Sequence, residues 1–374
     1  MPPVVIVVAI ALLFFLVIPG IGAVGVRRRW QLFRERVRLA SQAAPVTYAA
    51  LHARVGIAAT KRVCAVGRLE SIQGKSTLWV RGDSSSIAVD MTKSAVYIVS
   101  QRSEVAPNEP PLRTTWSRIG SLPEGAQVLV SGSLDTSEPH PMIRAAENDR
   151  VLAVFFDGPV ETLTRACIWS GRQMNEYWNS VTPSSLAAGA LALLVVSYVL
   201  LQGPPLRGVA QLAITLSALP VLPLLPPGVV PFYVYRVFWR RARSLRAFRD
   251  VLRLPLRFVQ EPGQCVDLPN GGVYCCEEID QAHFARLKNA GHHAIEPPLK
   301  QVDHAYYLFA KRAEIPDGPV DPLVENYVTI GKPALQAERC QSRARTYEFF
   351  ALGVFLLGLL VNSILALILL GLLL

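Results

Sequence analysis

The sequence predicts an integral membrane protein with four α-helical spans and two soluble modules. The first module is predicted to be all-β, as a small OB-like barrel or a sandwich, and the second α+β. Only 18% of the 374 residues are charged and 51% are hydrophobic, whereas an average globular protein has about 25% charged residues. The apolar residues form four blocks, and arginines concentrate at the block ends. This composition excludes a disordered chain and disfavours an ordinary soluble enzyme.

The first and last blocks, residues 4–26 and 349–374, contain no charged side chain. Each is long enough to cross a hydrocarbon core about 30 Å thick. A secretory signal peptide carries positive charge before its apolar run. Here the arginines follow the first block, which favours an uncleaved anchor.

The two middle blocks are less regular. Residues 185–201 form a shorter span, for which a buried core helix stays open as the alternative. Residues 208–235 form a Pro-kinked span, since proline removes a helical hydrogen bond and clashes with the preceding turn. We expect a helix to about Leu219 and an irregular exit after it. The prolines concerned are Pro220, Pro223, Pro226, Pro227 and Pro231.

Basic juxtamembrane helices are predicted at residues 27–40 and 236–254. Positive residues near span ends mark the cytoplasmic side, so we expect both termini outside the cell inner membrane and both modules in the cytoplasm. An extracytoplasmic first module is the competing topology. The predicted membrane-surface residues are Arg27, Arg28, Arg29, Arg240, Arg241 and Arg243, and the predicted interfacial aromatic residues are Trp30, Tyr233, Tyr235 and Trp239. Because topology already accounts for the net charge of +10, no nucleic-acid partner is expected.

Two short segments resemble each other. Residues 33–39 (FRERVRL) and 248–254 (FRDVLRL) both give aromatic, arginine, acid, any residue, aliphatic, arginine, leucine. Each follows a span and leads into a polar segment. The chain is therefore either a duplication of one unit or a chance similarity between basic amphipathic helices.

Residues 61–157 are predicted to be β-rich, because short β-branched runs alternate with glycine-marked turns. A helical connector over residues 158–184 leads to the second span. The predicted strands cover residues 62–69, 76–81, 86–91, 95–100, 126–132, 142–145 and 151–156, with a Pro-rich loop over 104–113.

The end of this module follows a recognisable order. Residues 122–125 (LPEG) precede a Val-rich strand, then come Gly132, a polar turn with Pro141, a strand ending at 154–156 (VFF), a helix and a span. Over residues 61–200 this resembles the membrane-anchored domain of GIDE-type E3 ubiquitin ligases and their bacterial relatives. The resemblance implies a β-domain tethered to a bilayer at both ends. Those ligases carry a RING finger, but the chain has no Cys-x₂-Cys pair, so ligase activity is not implied.

Residues 255–345 are predicted to form an α+β module. It should contain a helix over residues 280–290 capped by Asp280, a buried strand over 305–311, and a helix over 333–347 that begins at a proline. The metal-capable side chains concentrate here, and the candidate ligands are Cys265, Cys275, His283 and His292. Their spacing lacks the short ligand pairs of zinc sites, so reduced thiols and solvated histidines are the favoured interpretation. A disulfide is expected only if the predicted topology is wrong.

Catalytic motifs are not found, and no cofactor is predicted. A Gly-x-Gly-x-x-Gly string at residues 20–25 lies in the first span, where small residues serve helix packing. The leading function is a membrane-anchored scaffold or protein-interaction protein, with the lipid bilayer and an unidentified protein as partners and homo-oligomerisation left open. The alternatives are a non-catalytic subunit of a membrane transporter or membrane-remodelling complex, and an enzyme with an unrecognised site in the Cys/His segment.

Overall fold

The computed structural model describes residues 2–46, 62–74, 76–82, 86–100, 111–119, 125–136, 140–146, 149–160, 163–172, 178–254, 256, 259, 261–267, 273–289, 293–295, 299, 305–312 and 327–373. The chain forms two compact units, which are described separately. The helical unit comprises Met1–Gln31, Asn175–Leu245 and Gln341–Leu374. The sheet unit comprises Leu32–Met174 and Arg246–Cys340.

Three helices are long and apolar enough to cross a membrane, namely Pro3–Ser41, Thr182–Leu201 and Pro333–Leu373. The first consists of α1 (Pro3–Leu12), a π-helical turn (Leu13–Val17) and α2 (Ile18–Gln42). After α3 (Leu163–Gly171) the second is α4 (Thr182–Leu201), and the last is α8 (Pro333–Leu373). The predicted spans 4–26 and 185–201 lie within these helices, as do residues 349–373 of the last predicted span, whose final residue lies outside the described part of the chain. The basic helix predicted at 27–40 and the helix predicted at 333–347 are continuous with the neighbouring spans rather than separate elements.

The third apolar block is broken. Helix α5 (Arg207–Ser217) ends near the predicted position, a short 3₁₀ turn covers Leu222–Leu224, and the Pro226–Pro227 peptide bond is cis. Helix α6 (Val229–Leu252) then begins inside the predicted span and covers the predicted basic helix 236–254 except for its last two residues. The block is therefore two helices joined by a proline-rich break.

Polar side chains satisfy backbone carbonyl groups where the first helix is irregular. In the π-helical turn the Ile18 amide donates to the carbonyl five residues earlier, but Pro19 has no N–H to donate to Phe14. The Ser185 hydroxyl on α4 donates to that Phe14 carbonyl at 2.6 Å. Gly189, one turn further, allows the close approach, because a Cβ there would lie 2.5 Å from the Phe14 Cβ. Small residues at such contacts are typical of membrane helix pairs.

Asn362 on α8 likewise donates hydrogen bonds to backbone carbonyls at the proline-rich break. Its side chain is buried, and Nδ2 donates to the carbonyls of Leu222 and Leu225 at 2.5 and 2.9 Å. Pro226 lacks the N–H that an α-helix would direct at Leu222. Gly228 and Gly358 let the two segments pack closely, since a Cβ at either would overlap Asn362 or Pro231.

The sheet unit begins with a nine-stranded sheet in the order β1-β2-β3-β4-β8-β7-β9-β5-β6, with an additional β2–β7 pairing. That pairing closes β2, β3, β4, β8 and β7 into a barrel-like ring, in which only β4 and β8 are parallel. The apolar core fills the ring with inward-facing side chains such as Val63, Leu78, Val89 and Val130. The strands are β1 (Ala44–Pro45), β2 (Arg62–Gln73), β3 (Thr77–Arg81), β4 (Ser86–Asp90), β5 (Ser94–Val99), β6 (Leu112–Thr114), β7 (Gln127–Asp135), β8 (Met142–Arg144) and β9 (Val151–Phe156).

The seven predicted strands all occur, with small shifts at their ends. The predicted loop over 104–113 is wrong at its end, because residues 112–114 form β6, which pairs with β5. Residues 104–110 lie outside the described part of the chain. The extension β9–β5–β6 continues the sheet beyond the ring, and β5 and β9 run parallel.

The second sheet has five strands in the order β10-β11-β13-β14-β12. Helix α7 (Gln281–Asn289) confirms the helix predicted from 280, and Asp280 Oδ1 accepts the His283 amide as an N-cap. One face of the sheet packs on residues of α3, α6 and α8, with Tyr274, Tyr307 and Phe309 buried in this shared core. The strands are β10 (Cys265–Asp267), β11 (Val273–Ile279), β12 (His293–Ile295), β13 (Tyr306–Arg312) and β14 (Tyr327–Ile330).

Candidate functional site

The predicted metal candidates do not come together as a ligand set. Cys265 and Cys275 are register partners in β10 and β11 and form a disulfide, so the expectation that both stay reduced is wrong. His283 is exposed on α7, and His292 lies outside the described residues. Among the residues that could be searched, no group of three or more His, Cys, Asp or Glu side chains is placed to hold a metal ion.

The free cysteines are buried. Burial raises the pKa of Cys167 to about 12, and burial with the nearby Glu277 raises that of Cys276 to about 11. Burial likewise raises the pKa of Cys340 to about 11, against a smaller opposing effect of Arg249. A thiol protonated at neutral pH is a poor nucleophile and a poor metal ligand. The surroundings of these three cysteines therefore fit a packing role rather than a chemical one.

The predicted membrane-surface arginines 27, 28, 29, 240 and 241 are exposed, and Arg243 is half-buried, 5.9 Å above the Trp239 ring. Of the predicted interfacial aromatic residues, Tyr233 is exposed and Trp30 is buried. Tyr235 lies between Trp239 and Phe355 of α8, with ring centroids 5.7 and 5.2 Å away. The α6–α8 pair is therefore joined by aromatic contacts, and the interfacial role of these side chains stays a prediction.

The structure reveals a charged cluster that the sequence did not predict. The Asp250 cluster consists of Asp250 near the end of α6, its neighbour Arg249, Arg34 on α2 and Arg172 directly after α3. Asp250 Oδ2 accepts from Arg172 Nε at 2.6 Å and from Arg34 Nη1 at 3.1 Å. Oδ1 accepts from Arg249 Nη2 and Nε at 2.5 and 2.9 Å. The four side chains are only 12–23% exposed.

The electrostatics of this cluster favour an ionised carboxylate. Burial acts to raise the pKa of Asp250, but Arg172 and Arg249 outweigh it and hold the pKa below its usual value. The pKa of Arg172 is lowered by burial and by repulsion from Arg34 and Arg249, and Asp250 opposes that shift. Asp250 is thus the charge that allows three guanidinium groups to lie together.

Arg34 and Asp250 belong to the two similar segments, 33–39 and 248–254. In the structure the arginine of the first segment pairs with the acid of the second. The pairing is not reciprocal, since Glu35, which corresponds to Asp250, instead pairs with Arg38 on its own helix. The similarity was a visible signal for these positions, but their contact joins residues 216 positions apart and could not be read from spacing.

A second group, the Asp149 cluster, lies on the outward face of the nine-stranded sheet. It consists of Asp149, Arg36 on α2, Arg62 on β2 and Tyr97 on β5. Arg62 Nη1 donates to Asp149 Oδ2, and Arg62 Nε donates to the Ser131 hydroxyl at 3.0 Å. Arg36 Nε lies 3.9 Å from Asp149 Oδ1, and Arg36 also hydrogen-bonds the Tyr97 side chain.

Helix α2 reaches this face through an apolar stripe. Phe33 is fully buried, with its ring centroid 4.2 Å from that of Tyr97. Val37 and Ala40 follow on the same side of the helix and line a small apolar cavity with residues of β7, β9 and α3. This packing fixes α2 and thereby aims Arg36 at Asp149.

No protein-family model, curated protein or solved structure matches the chain. Neither the fold nor the two charged clusters can therefore be assigned from a relative.

Proposed function

We propose that this protein is a non-catalytic scaffold that crosses the cell inner membrane four times and carries both soluble modules on the cytoplasmic side as one body. The observation that carries the proposal is the shared core of the sheet unit. Ile168 of α3, which follows the first module, packs with Val251, Leu252 and the second sheet, and Arg34 and Arg172 both bind Asp250.

The shared body supports four crossings by a parity argument. The first module precedes α4 and the second follows it, yet both belong to one compact unit. If α4 crosses the bilayer, the chain has to cross back between residues 202 and 245. The predicted span 208–235 is the segment available for this. Asn362 supports a crossing there, because backbone carbonyls within a membrane need internal donors.

The strand order supports an OB-like barrel for the first module. Strands β2, β3 and β4 are consecutive antiparallel neighbours. Strand β8 then pairs in parallel with β4, and β7 closes the ring between β8 and β2. This order favours a five-stranded Greek-key barrel of the OB type. A barrel flanked by two membrane-crossing segments also agrees with the proposed resemblance to the anchored domain of GIDE-type ligases, without their RING finger. Small barrels of this kind host many unrelated binding functions.

Sidedness is tested by labelling one introduced cysteine at a time, against the buried free cysteines of the wild type, in oriented membrane vesicles with a membrane-impermeant maleimide. Arg81→Cys in the barrel and Glu277→Cys in the second sheet are exposed positions on the two modules. Equal labelling of both from the cytoplasmic side supports the proposal. Labelling from opposite sides of the membrane refutes it.

The scaffold role is tested by photo-crosslinking in intact membranes from exposed Leu112 on β6 and Ile72 on β2. We expect a reproducible set of soluble proteins bound to the wild type. Asp250→Asn should lose them because it disrupts the shared body, and Glu35→Gln should retain them. Recovery of integral membrane partners only, with both variants equal, would favour a subunit of a membrane complex instead.

A further inference from the structure

The Asp149 cluster has more positive than negative charge. Asp149 is shared by Arg36 and Arg62. Arg113 is the register partner of Tyr97 on β6, and Arg150 follows Asp149 in sequence. Burial raises the pKa of Tyr97, and the charged groups that act against this are Arg113, Arg36 and Arg150. Among the residues that the structure describes, four guanidinium groups therefore lie near one carboxylate and one phenol.

One of these guanidinium groups has an unused donor. Arg62 donates from Nε to Ser131 and from Nη1 to Asp149. Its Nη2 is buried and has no acceptor among the described residues. A buried donor without an acceptor is costly, and a guanidinium offers its N–H groups in a planar fork that matches an oxyanion.

We propose that the Asp149 cluster is a binding site for a phosphate-type oxyanion, held by Arg62 Nη2 and Arg36 and drawn in by Arg113 and Arg150. Phosphate supplies several acceptors at the geometry that arginine prefers, and its charge offsets the surplus left by a single carboxylate. The phosphate group can come from a phospholipid headgroup or from a free phosphate compound. This site goes beyond the scaffold role, which requires no ligand.

The first arm of the test uses the full chain in phosphatidylcholine nanodiscs and inorganic phosphate as the probe. Titration calorimetry at constant ionic strength measures the affinity of the wild type and of Arg62→Gln. Because a charge-assisted hydrogen bond contributes about a factor of ten or more to affinity, Arg62→Gln should bind at least 10-fold more weakly. The second arm counts phosphatidylglycerol molecules retained after exchange from mixed phosphatidylglycerol and phosphatidylcholine micelles.

Two further variants keep the proposal falsifiable if Arg62→Gln fails to fold. Arg150→Gln changes an exposed side chain and should weaken binding about 3-fold through loss of long-range attraction. Arg81→Gln, an exposed arginine on β3 outside the cluster, should leave binding unchanged. Variant-sensitive phosphate binding supports a free phosphate ligand, and variant-sensitive phosphatidylglycerol retention alone supports a headgroup. Absence of both responses, or equal responses in Arg150→Gln and Arg81→Gln, overturns the proposal. The sidedness and crosslinking outcomes do not depend on this result.

Discussion

Asp250→Asn isolates the charge that joins the two halves of the sheet unit. The substitution keeps the side-chain shape and one acceptor oxygen, but it removes the negative charge from contact with Arg34, Arg172 and Arg249. Glu35→Gln is the matched control, because Glu35 occupies the corresponding position of the other similar segment and its ion pair with Arg38 is exposed.

The expected effect follows from the environment of the carboxylate. A charge pair about 4 Å apart is worth about 4 kcal/mol at an effective dielectric constant of 20. Desolvation and repulsion among the arginines cancel much of the total attraction between Asp250 and its three arginine partners. Removing one partner of a buried pair costs about 3–5 kcal/mol, and the 12–23% exposure of these side chains places Asp250→Asn near the lower end. The exposed Glu35 pair should contribute at most about 1 kcal/mol.

Hydrogen exchange of the full chain in nanodiscs measures this difference locally. The amides of α3 are the reporters, because α3 directly precedes Arg172 and packs in the core shared with the second sheet. A loss of about 3 kcal/mol should speed their exchange about 100-fold in Asp250→Asn, with little change in Glu35→Gln. If the two variants exchange within a factor of three of each other, Asp250 does not join the modules and the assignment fails.

Three other expectations can be measured directly. The pKa of Asp250 is lower in the folded than in the unfolded chain, so its stabilisation is present above about pH 4 and lost as pH falls through the folded pKa. The difference in unfolding free energy between wild type and Asp250→Asn should therefore shrink on acidification. A constant difference would contradict this. Opening the Cys265–Cys275 disulfide should destabilise the sheet unit by about 3 kcal/mol at most, given its short loop, and Cys265→Ser should remove the effect of reductant on thermal unfolding. Denaturing alkylation of whole cells should then modify only the four free thiols, and modification of all six would show that the Cys265–Cys275 bond does not form in place. Gly189→Ala should destabilise the helical unit by about 1–3 kcal/mol in detergent titrations, because its Cβ would meet the Phe14 Cβ at 2.5 Å, whereas Gly203→Ala, with its nearest neighbour at 3.7 Å, should not.

Local patterns in the sequence predicted much of the fold. Short β-branched runs and glycine-marked turns located the strands, because these signals are local to each strand, and Asp280 located the start of α7. Proline placed the end of α5 within two residues. Helix ends without a local stop were missed, which is why 333–347 and the last span emerged as one helix.

The candidate site depended on long-range pairing and was largely missed. The Cys265–Cys275 bond requires the β10–β11 register, which spacing alone does not define. The Asp250 cluster requires α2, α3 and α6 to meet, and Arg62 reaches Asp149 only after β2 pairs with β7. Topology alone accounts for arginines near span ends, so their positions do not indicate that Arg34 and Arg36 pair with Asp250 and Asp149.

The two sides of helix α3 become covered at different times during synthesis. Its Leu163 and Cys167 face β7 and β9, so this side can be covered as soon as the first module leaves the ribosome. Ile168 and Trp169 can be covered only by α6 and the second sheet. The contacting residues of α6 are synthesised about 80 residues later. At 5–20 residues per second, the nascent chain carries an uncovered apolar stripe for about 4–16 seconds, with two further apolar segments emerging in the meantime. We therefore expect α3 to benefit from shielding, by a chaperone or by the insertion machinery, during that interval.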